Sequence, residues 1–190
     1  MPAASKREII VSEALKLFYR DGFNATGIDK ICKEAGVSKK TLYNHFKSKD
    51  ELILATLRLR DEGFRNNFMR ETEKRSDNPR DRLLSLFDVL AAWTEEKDFF
   101  GCMFINASAE FAEKNDPIHL FSAEHKRLMK EYIRELAAKA GARNPTQLAG
   151  QLNLLLEGAT VEAHVSDTKN AGDIAKSMAR VIIEQAFEKV

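Results

Sequence analysis

Between Thr26 and Lys49 the chain reads TGIDKICKEAGVSKKTLYNHFKSK, a stretch rich in lysine, hydroxyl and amide side chains. At about 100° per residue, Lys39, Lys40, Tyr43 and Asn44 share one face of a short helix. Ammonium groups there can meet phosphates, while amine, hydroxyl and amide groups can reach base edges in a major groove. From Gly36 to Lys49 there are four lysines and no carboxylate. A lysine-rich face is also what an ordinary solvated helix shows, and helix pairs joined by a tight turn occur in many all-α domains.

The surrounding residues supply the elements that would hold this face outward. Ile28, Ile31, Cys32 and Ala35 follow the i, i+3, i+4, i+7 spacing of a buried helical stripe, with Thr26 read as its N-cap and Asp29 completing a capping-box-like pair. Gly36 offers a turn at positive φ, and Ser38 can cap a second helix whose Leu42 and Phe46 point back towards Val37. Ahead of this pair, a helix over about Lys6 to Asp21 carries the stripe Ile10, Ala14, Leu17, Phe18 and ends at Gly22. After it, Ser48-Lys49-Asp50-Glu51 reads as a capping box opening a helix with Leu52, Ala55 and Leu59 on its apolar side. If that helix reaches Lys74 it is about 37 Å long, a natural lever.

AGVSKKTLYNHFKSKDEL resembles the signature of the tetracycline-repressor (TetR) family of bacterial transcriptional regulators, and EALKLFYRDGFNATGIDKI is similar to that family's first two helices. The resemblance covers roughly Ser5 to Leu57. It implies base-reading roles for Lys39, Lys40, Thr41 and Asn44, phosphate roles for Thr26, Tyr43, His45 and Lys49, and a place for Ser38 in the same DNA-binding set. His45 lies off the face the others share. The expected fold is all-α: an N-terminal three-helix helix-turn-helix head over residues 1–48, with its motif at about 27–46, and a ligand-binding and dimerisation domain over 49–190, about nine helices in total.

Composition is compatible with such a two-part helical chain. The 190 residues carry a formal net charge of only +1, yet residues 1–49 hold ten Lys/Arg against five Asp/Glu, and the remainder twenty against twenty-four. The cationic excess of +5 therefore sits with the motif, and the rest is at −4. That balance disfavours a nonspecific chromosome-coating protein, which would show no preference for one palindrome. No apolar run of about 18 residues and no signal-peptide core occur, so the chain reads as soluble and cytoplasmic, without a membrane partner. Cys32 and Cys102 form no metal-ligand spacing, and His119 and His125 are six apart rather than i, i+4; no metal and no cofactor are expected.

Asn78-Pro79, Asp116-Pro117 and Asn144-Pro145 mark fresh helix starts, giving helices near 79–97, 102–113, 117–140, 145–167 and 171–188. In the last two, Leu148, Leu152, Leu155, Ala159 and then Ile174, Met178, Val181, Ile182 form long apolar stripes that either fill their own core or pair with a second copy. The resemblance implies the latter, a homodimer reading a palindromic double-stranded operator. The middle helices combine many aromatics with a few polar groups. Trp93, Phe100, Cys102, Met103, Phe104, Asn106, Phe121 and His125 are the expected lining of a pocket for a small-molecule effector, although an aromatic stripe at helical spacing is also ordinary core.

By resemblance, the effector tilts the fourth helix, spreads the two heads and releases the DNA, as expected of a repressor. Cys102 admits a sharper reading. At a predicted helix start its thiolate would be favoured, making it a redox or electrophile sensor, and FFGCMFINA is similar to a family subgroup with Gly-Cys here. Burial among Phe99, Phe100, Met103 and Phe104 would make it inert instead. An enzyme using Cys102 with His119 or His125 is the remote alternative, unsupported by any orienting motif, so no catalytic residue is assigned.

Overall fold

The computed structural model describes residues 4–188, within which nine α-helices and no strands are found. They are α1 (Lys6–Asp21), α2 (Ile28–Glu34), α3 (Lys39–His45), α4 (Lys49–Lys74), α5 (Pro79–Thr94), α6 (Met103–Glu110), α7 (Pro117–Lys139), α8 (Pro145–Val165) and α9 (Ala171–Phe187). The chain divides into two compact units that are not contiguous in sequence. One comprises 1–63 and 103–125, the other 64–102 and 126–190. Helices α4 and α7 therefore each contribute residues to both.

The local signals for helix ends are largely met by the side chains that carry them. Ser5 caps α1 in a reciprocal capping box with Glu8. Asn78 and Asn144 cap α5 and α8, each with proline in the first turn. Helices α5 and α6 end at Thr94 and Glu110, three residues short of the expected 97 and 113, and two caps differ from expectation. Thr26 does not cap α2, because its hydroxyl donates to the Gly22 carbonyl at 2.7 Å, and Gly27 occupies the cap position without a side-chain bond. At α4, Ser48 Oγ accepts from Glu51 N as expected, but the Glu51 carboxylate reaches one residue further back, to Lys47 N at 2.7 Å.

In the first unit Ile10, Ala14, Leu17, Phe18, Phe23, Ile31, Leu42, Phe46, Leu52, Ile53 and Leu57 are buried. Leu59, expected on the apolar side of α4, is exposed; Thr56 and Asp61 are buried there instead. Glu110, at the end of α6, accepts hydrogen bonds from two successive backbone amides, Phe23 N at 2.9 Å and Asn24 N at 2.6 Å, and so fastens the turn between α1 and α2. Phe111 meets the Phe23 ring edge-on, with centroids 6.1 Å apart. Gly22 sits at φ +88°, a backbone conformation that favours glycine, and a Cβ there would stand 3.1 Å from the Glu110 carboxylate, a tight contact.

In the second unit α5, α8 and α9 pack around Leu83, Leu86, Phe87, Leu90, Leu148, Leu152, Ala175, Ala179 and Ile183, with Ile133 and Leu136 of α7 in the same core. Gly172 lets α9 approach α5 closely: a Cβ there would lie 2.8 Å from the Ala91 side chain. Lys176 pairs with Asp88 across the same two helices.

Candidate nucleic-acid interface

The α2–α3 connection is set by backbone chemistry. Gly36, at φ +63°, ends α2, and Val37 N returns a hydrogen bond to the Cys32 carbonyl, satisfying a helix-end group. Ser38 then caps α3, its Oγ accepting from Thr41 N at 3.1 Å and lying 3.0 Å from Thr41 Oγ1. Leu42 and Phe46 drop into the core, and the Arg7 guanidinium lies 5.1 Å from the Phe46 ring centroid. With the apolar side anchored, Lys39, Lys40, Tyr43, Asn44 and His45 are all exposed.

The remaining expected DNA contacts are placed differently. Thr41 is half-buried and its hydroxyl is next to Ser38; Lys49 is half-buried with Nζ 3.5 Å from the Asn24 carbonyl. Thr26 is fully buried and its hydroxyl is spent on Gly22, which leaves it holding the turn. Lys39 Nζ stands 2.8 Å from Asp29 Oδ1 of α2, and that hydrogen bond raises the lysine pKa. An exposed, cationic recognition helix on a three-helix head has the chemistry to enter a major groove, where the first residues of such a helix meet base edges.

The expected effector residues are divided between the units. Met103, Phe104, Asn106, Phe121 and His125 belong to the first. There His125 is buried, its Nδ1 lies 2.7 Å from Asp61 Oδ1, and the Phe104 ring stacks on it at 3.6 Å and 11°. His119 Nδ1 is 2.9 Å from the Phe111 carbonyl oxygen. Trp93, Phe100 and Cys102 belong to the second unit. Trp93 lies edge-on to both Phe64 and Phe99, and Phe99 in turn meets His164.

Cys102 is 8% exposed, and Lys126 Nζ donates both to its Sγ at 3.2 Å and to Glu157 Oε2 at 2.5 Å. Burial pulls the Lys126 pKa down, but its neighbours Cys102 and Glu157 outweigh this and leave it raised. The sequence reading did not find Lys126, Glu157, Asp61 or Glu110. Their partners are 24 to 87 residues away, so no local period or motif pairs them.

The two stripes of the final helices divide as well. Leu148, Leu152 and Ala159 are consumed by their own unit's core, and Leu155 and Ile182 are half-buried. Ile174, Met178 and Val181 are exposed on α9, joined on α8 by Leu154, Val161 and Val165, which the sequence reading did not select. Leu154 is 74% exposed and Met178 51%. Between the helices runs a groove of about 270 Å³ lined by Leu154, Leu155, Gly158, Ile174, Ala175 and Met178. Among the described residues no helix is long and apolar enough to cross a membrane.

A three-helix head with an exposed cationic recognition helix, attached to a further helical unit, defines a helix-turn-helix regulator. The pattern "Bacterial regulatory proteins, tetR family" matches residues 10–56, and "Tetracyclin repressor-like, C-terminal domain" matches 79–179. The chain belongs to the TetR family and is a DNA-binding transcriptional regulator. The HTH-type transcriptional regulator YjdC of Escherichia coli (strain K12) is 23% identical over 184 residues, 95% of each chain. The crystal structure of SCO4454, a TetR-family transcriptional regulator from Streptomyces coelicolor, superposes with a TM-score of 0.89 at 27% identity over 96% of each chain. The HTH-type transcriptional repressor NemR of E. coli (strain K12) is 24% identical over 169 residues, 84% of each; its reduced form superposes with a TM-score of 0.83 over 93% of this chain and 95% of that one.

Proposed function

We propose that the protein is a cytoplasmic repressor that binds a palindromic operator as a homodimer and lets go when a small molecule occupies its C-terminal part. On this reading residues 1–48 read DNA and 49–190 bind the effector and the second copy; residues 1–3 and 189–190, at the ends of those ranges, lie outside the described residues. The observation that carries the reading is the exposed face of α3, where Lys39, Lys40, Tyr43 and Asn44 stand over a buried Leu42 and Phe46. Lys39, Lys40 and Asn44 read bases, with Thr41 at the margin; Tyr43, His45 and Lys49 meet phosphates, and Ser38 and Thr26 hold the backbone that presents them. Support for repression comes from NemR, described as a repressor. The exposed apolar residues of α8 and α9 support pairing with a second copy, since one short recognition helix reads too few bases to select a site. The protein acts by binding and not by catalysis.

Selection from a randomised DNA pool tests this. The enriched site should be two-fold symmetric, with half-sites about 10 base pairs apart and two chains bound per duplex. Enrichment of an asymmetric site by a single chain would overturn the dimeric reading. The effector's linkage follows arithmetically: a roughly 100-fold loss of operator affinity corresponds to about 2.7 kcal/mol of coupling, and the operator must weaken effector binding by the same factor. Trp93→Ala should then abolish effector-dependent release and leave DNA binding without effector nearly intact.

A second reading rests on Lys126, whose ammonium lies 3.2 Å from Cys102 Sγ and gives the sulfur a cationic neighbour. Here Cys102 receives the signal by reacting with an electrophile or oxidant. Cys102→Ser would lose release by an alkylating reagent such as N-ethylmaleimide while Cys32→Ser keeps it. If both variants release DNA alike, Cys102 is a packing residue.

A further inference from the structure

Two lysines open the recognition helix, and they are not equivalent. Lys39 is held by Asp29 of α2 at 2.8 Å, with side chains 58% and 80% exposed. Lys40 is exposed and, among the described residues, enters no ion pair. Resting on the reading of α3 as the DNA-contacting helix, we infer that Asp29 is a specificity-determining positioning residue: its carboxylate withholds Lys39 from phosphates of arbitrary sequence and yields it to the base edges of the operator.

The physical case is a difference between two complexes. An ion pair between exposed side chains is weak, so it does not lock Lys39 in place; it competes with whatever DNA offers. On DNA of arbitrary sequence the offer is a phosphate oxygen. Moving Lys39 there exchanges one anion for another and leaves the Asp29 carboxylate uncompensated beside a polyanion. On the operator the offer is a base edge, where the ammonium, with three N–H donors, can meet the two acceptors of a guanine while its third hydrogen stays on Asp29, so the ion pair that a phosphate contact breaks is kept. Lys39 therefore contributes more to the operator complex than to the random one. Specificity is a difference of affinities, and a group that penalises the wrong complex raises it as surely as one that favours the right complex. Lys40 has no such restraint and contributes to both.

Asp29 also lies in the first turn of α2, where a carboxylate favours the helix. That structural role predicts a lower melting temperature on substitution and no change in how binding depends on salt. The probes are the site enriched by the unmodified protein from a random pool and a 30-base-pair duplex of scrambled sequence, each titrated across salt concentrations.

Asp29→Asn should steepen the salt dependence on the scrambled duplex by about 0.9 per head, roughly eightfold tighter binding per head at 0.1 M salt. The preference for the selected site should fall accordingly, and Asp29→Glu should keep it. In the Lys39→Ala background Asp29→Asn should change nothing further. If Lys39→Ala weakens binding while Asp29→Asn leaves both slope and preference unaltered, the inference is overturned and α3 remains the DNA face. An Asp29→Asn effect that persists without Lys39 overturns it too, since Asp29 would then act through another group. If Lys39→Ala itself alters neither slope nor preference, the assignment of this face to DNA falls and takes the inference with it.

Discussion

The exposed face of α3 and that of α8 and α9 differ in what they want. The face of α3 is cationic and amide-bearing; the face of α8 and α9, with Leu154, Val161, Ile174, Met178 and Val181, is apolar and folded around a shallow groove. A cationic face gains by releasing counterions from a polyanion, so its affinity falls steeply with salt. An apolar face gains by leaving water, which salt at ordinary concentrations hardly weakens. One contact should therefore be adjustable over physiological ionic strengths and the other constant, as the proposed dimer with a reversible DNA grip requires.

The sharpest way to break this comparison is a charge on the apolar face. Met178→Asp should cost several kcal/mol of association by burying an unpaired carboxylate between copies, giving a folded monomer in sedimentation and little operator binding. A dimer that survives it would move the interface elsewhere. Next in size, Gly172→Ala forces a methyl to within 2.8 Å of Ala91 and should lower stability by about 1–3 kcal/mol, seen in thermal melts. Because it loosens the scaffold beneath α9, association should weaken with it while the α3 face is untouched. Asn44→Ala should relax preference at one operator position by roughly 1–3 kcal/mol and leave the dimer intact, measured by repeating the selection. The smallest effect belongs to Lys49→Ala, which should flatten the salt slope by about 0.9 per head and weaken every DNA sequence alike. A loss confined to one base position would instead make Lys49 a base reader.

How legible each surface was in the sequence follows from the range of the interactions that build it. The α2–α3 motif is specified within 24 residues: Gly36 for the turn, Ser38 for the cap, Leu42 and Phe46 for the anchor, and all of them do in the fold what their types suggest. Thr26 is the exception. A threonine before a helix is a sound N-cap signal, but the Gly22 carbonyl, left over at the end of α1, takes its hydroxyl first.

The α8–α9 stripes were visible as apolar, yet period alone cannot say which side of a stripe faces its own core. Leu148 and Leu152 went inward, while Leu154, two residues on and about 200° round the helix, faces out. Least legible were the charged and polar contacts of the middle of the chain. Asp61 with His125, Lys126 with Cys102 and Glu157, and Glu110 with the amides of Phe23 and Asn24 are long-range, so only the fold brings them together.

The Glu110 carboxylate bears on how such a regulator can be taken apart and recombined. The amino-terminal family pattern ends at residue 56, which invites a graft in which that segment is fused to a foreign sensor. Such a chimera would lack the acceptor for two adjacent amides at the α1–α2 turn, along with the aromatic lid that Phe111 places on Phe23. The transferable module is discontinuous: it must carry residues 103–125 with it, so inheritance of this DNA reader by a new receptor would require two exchanges in the gene instead of one.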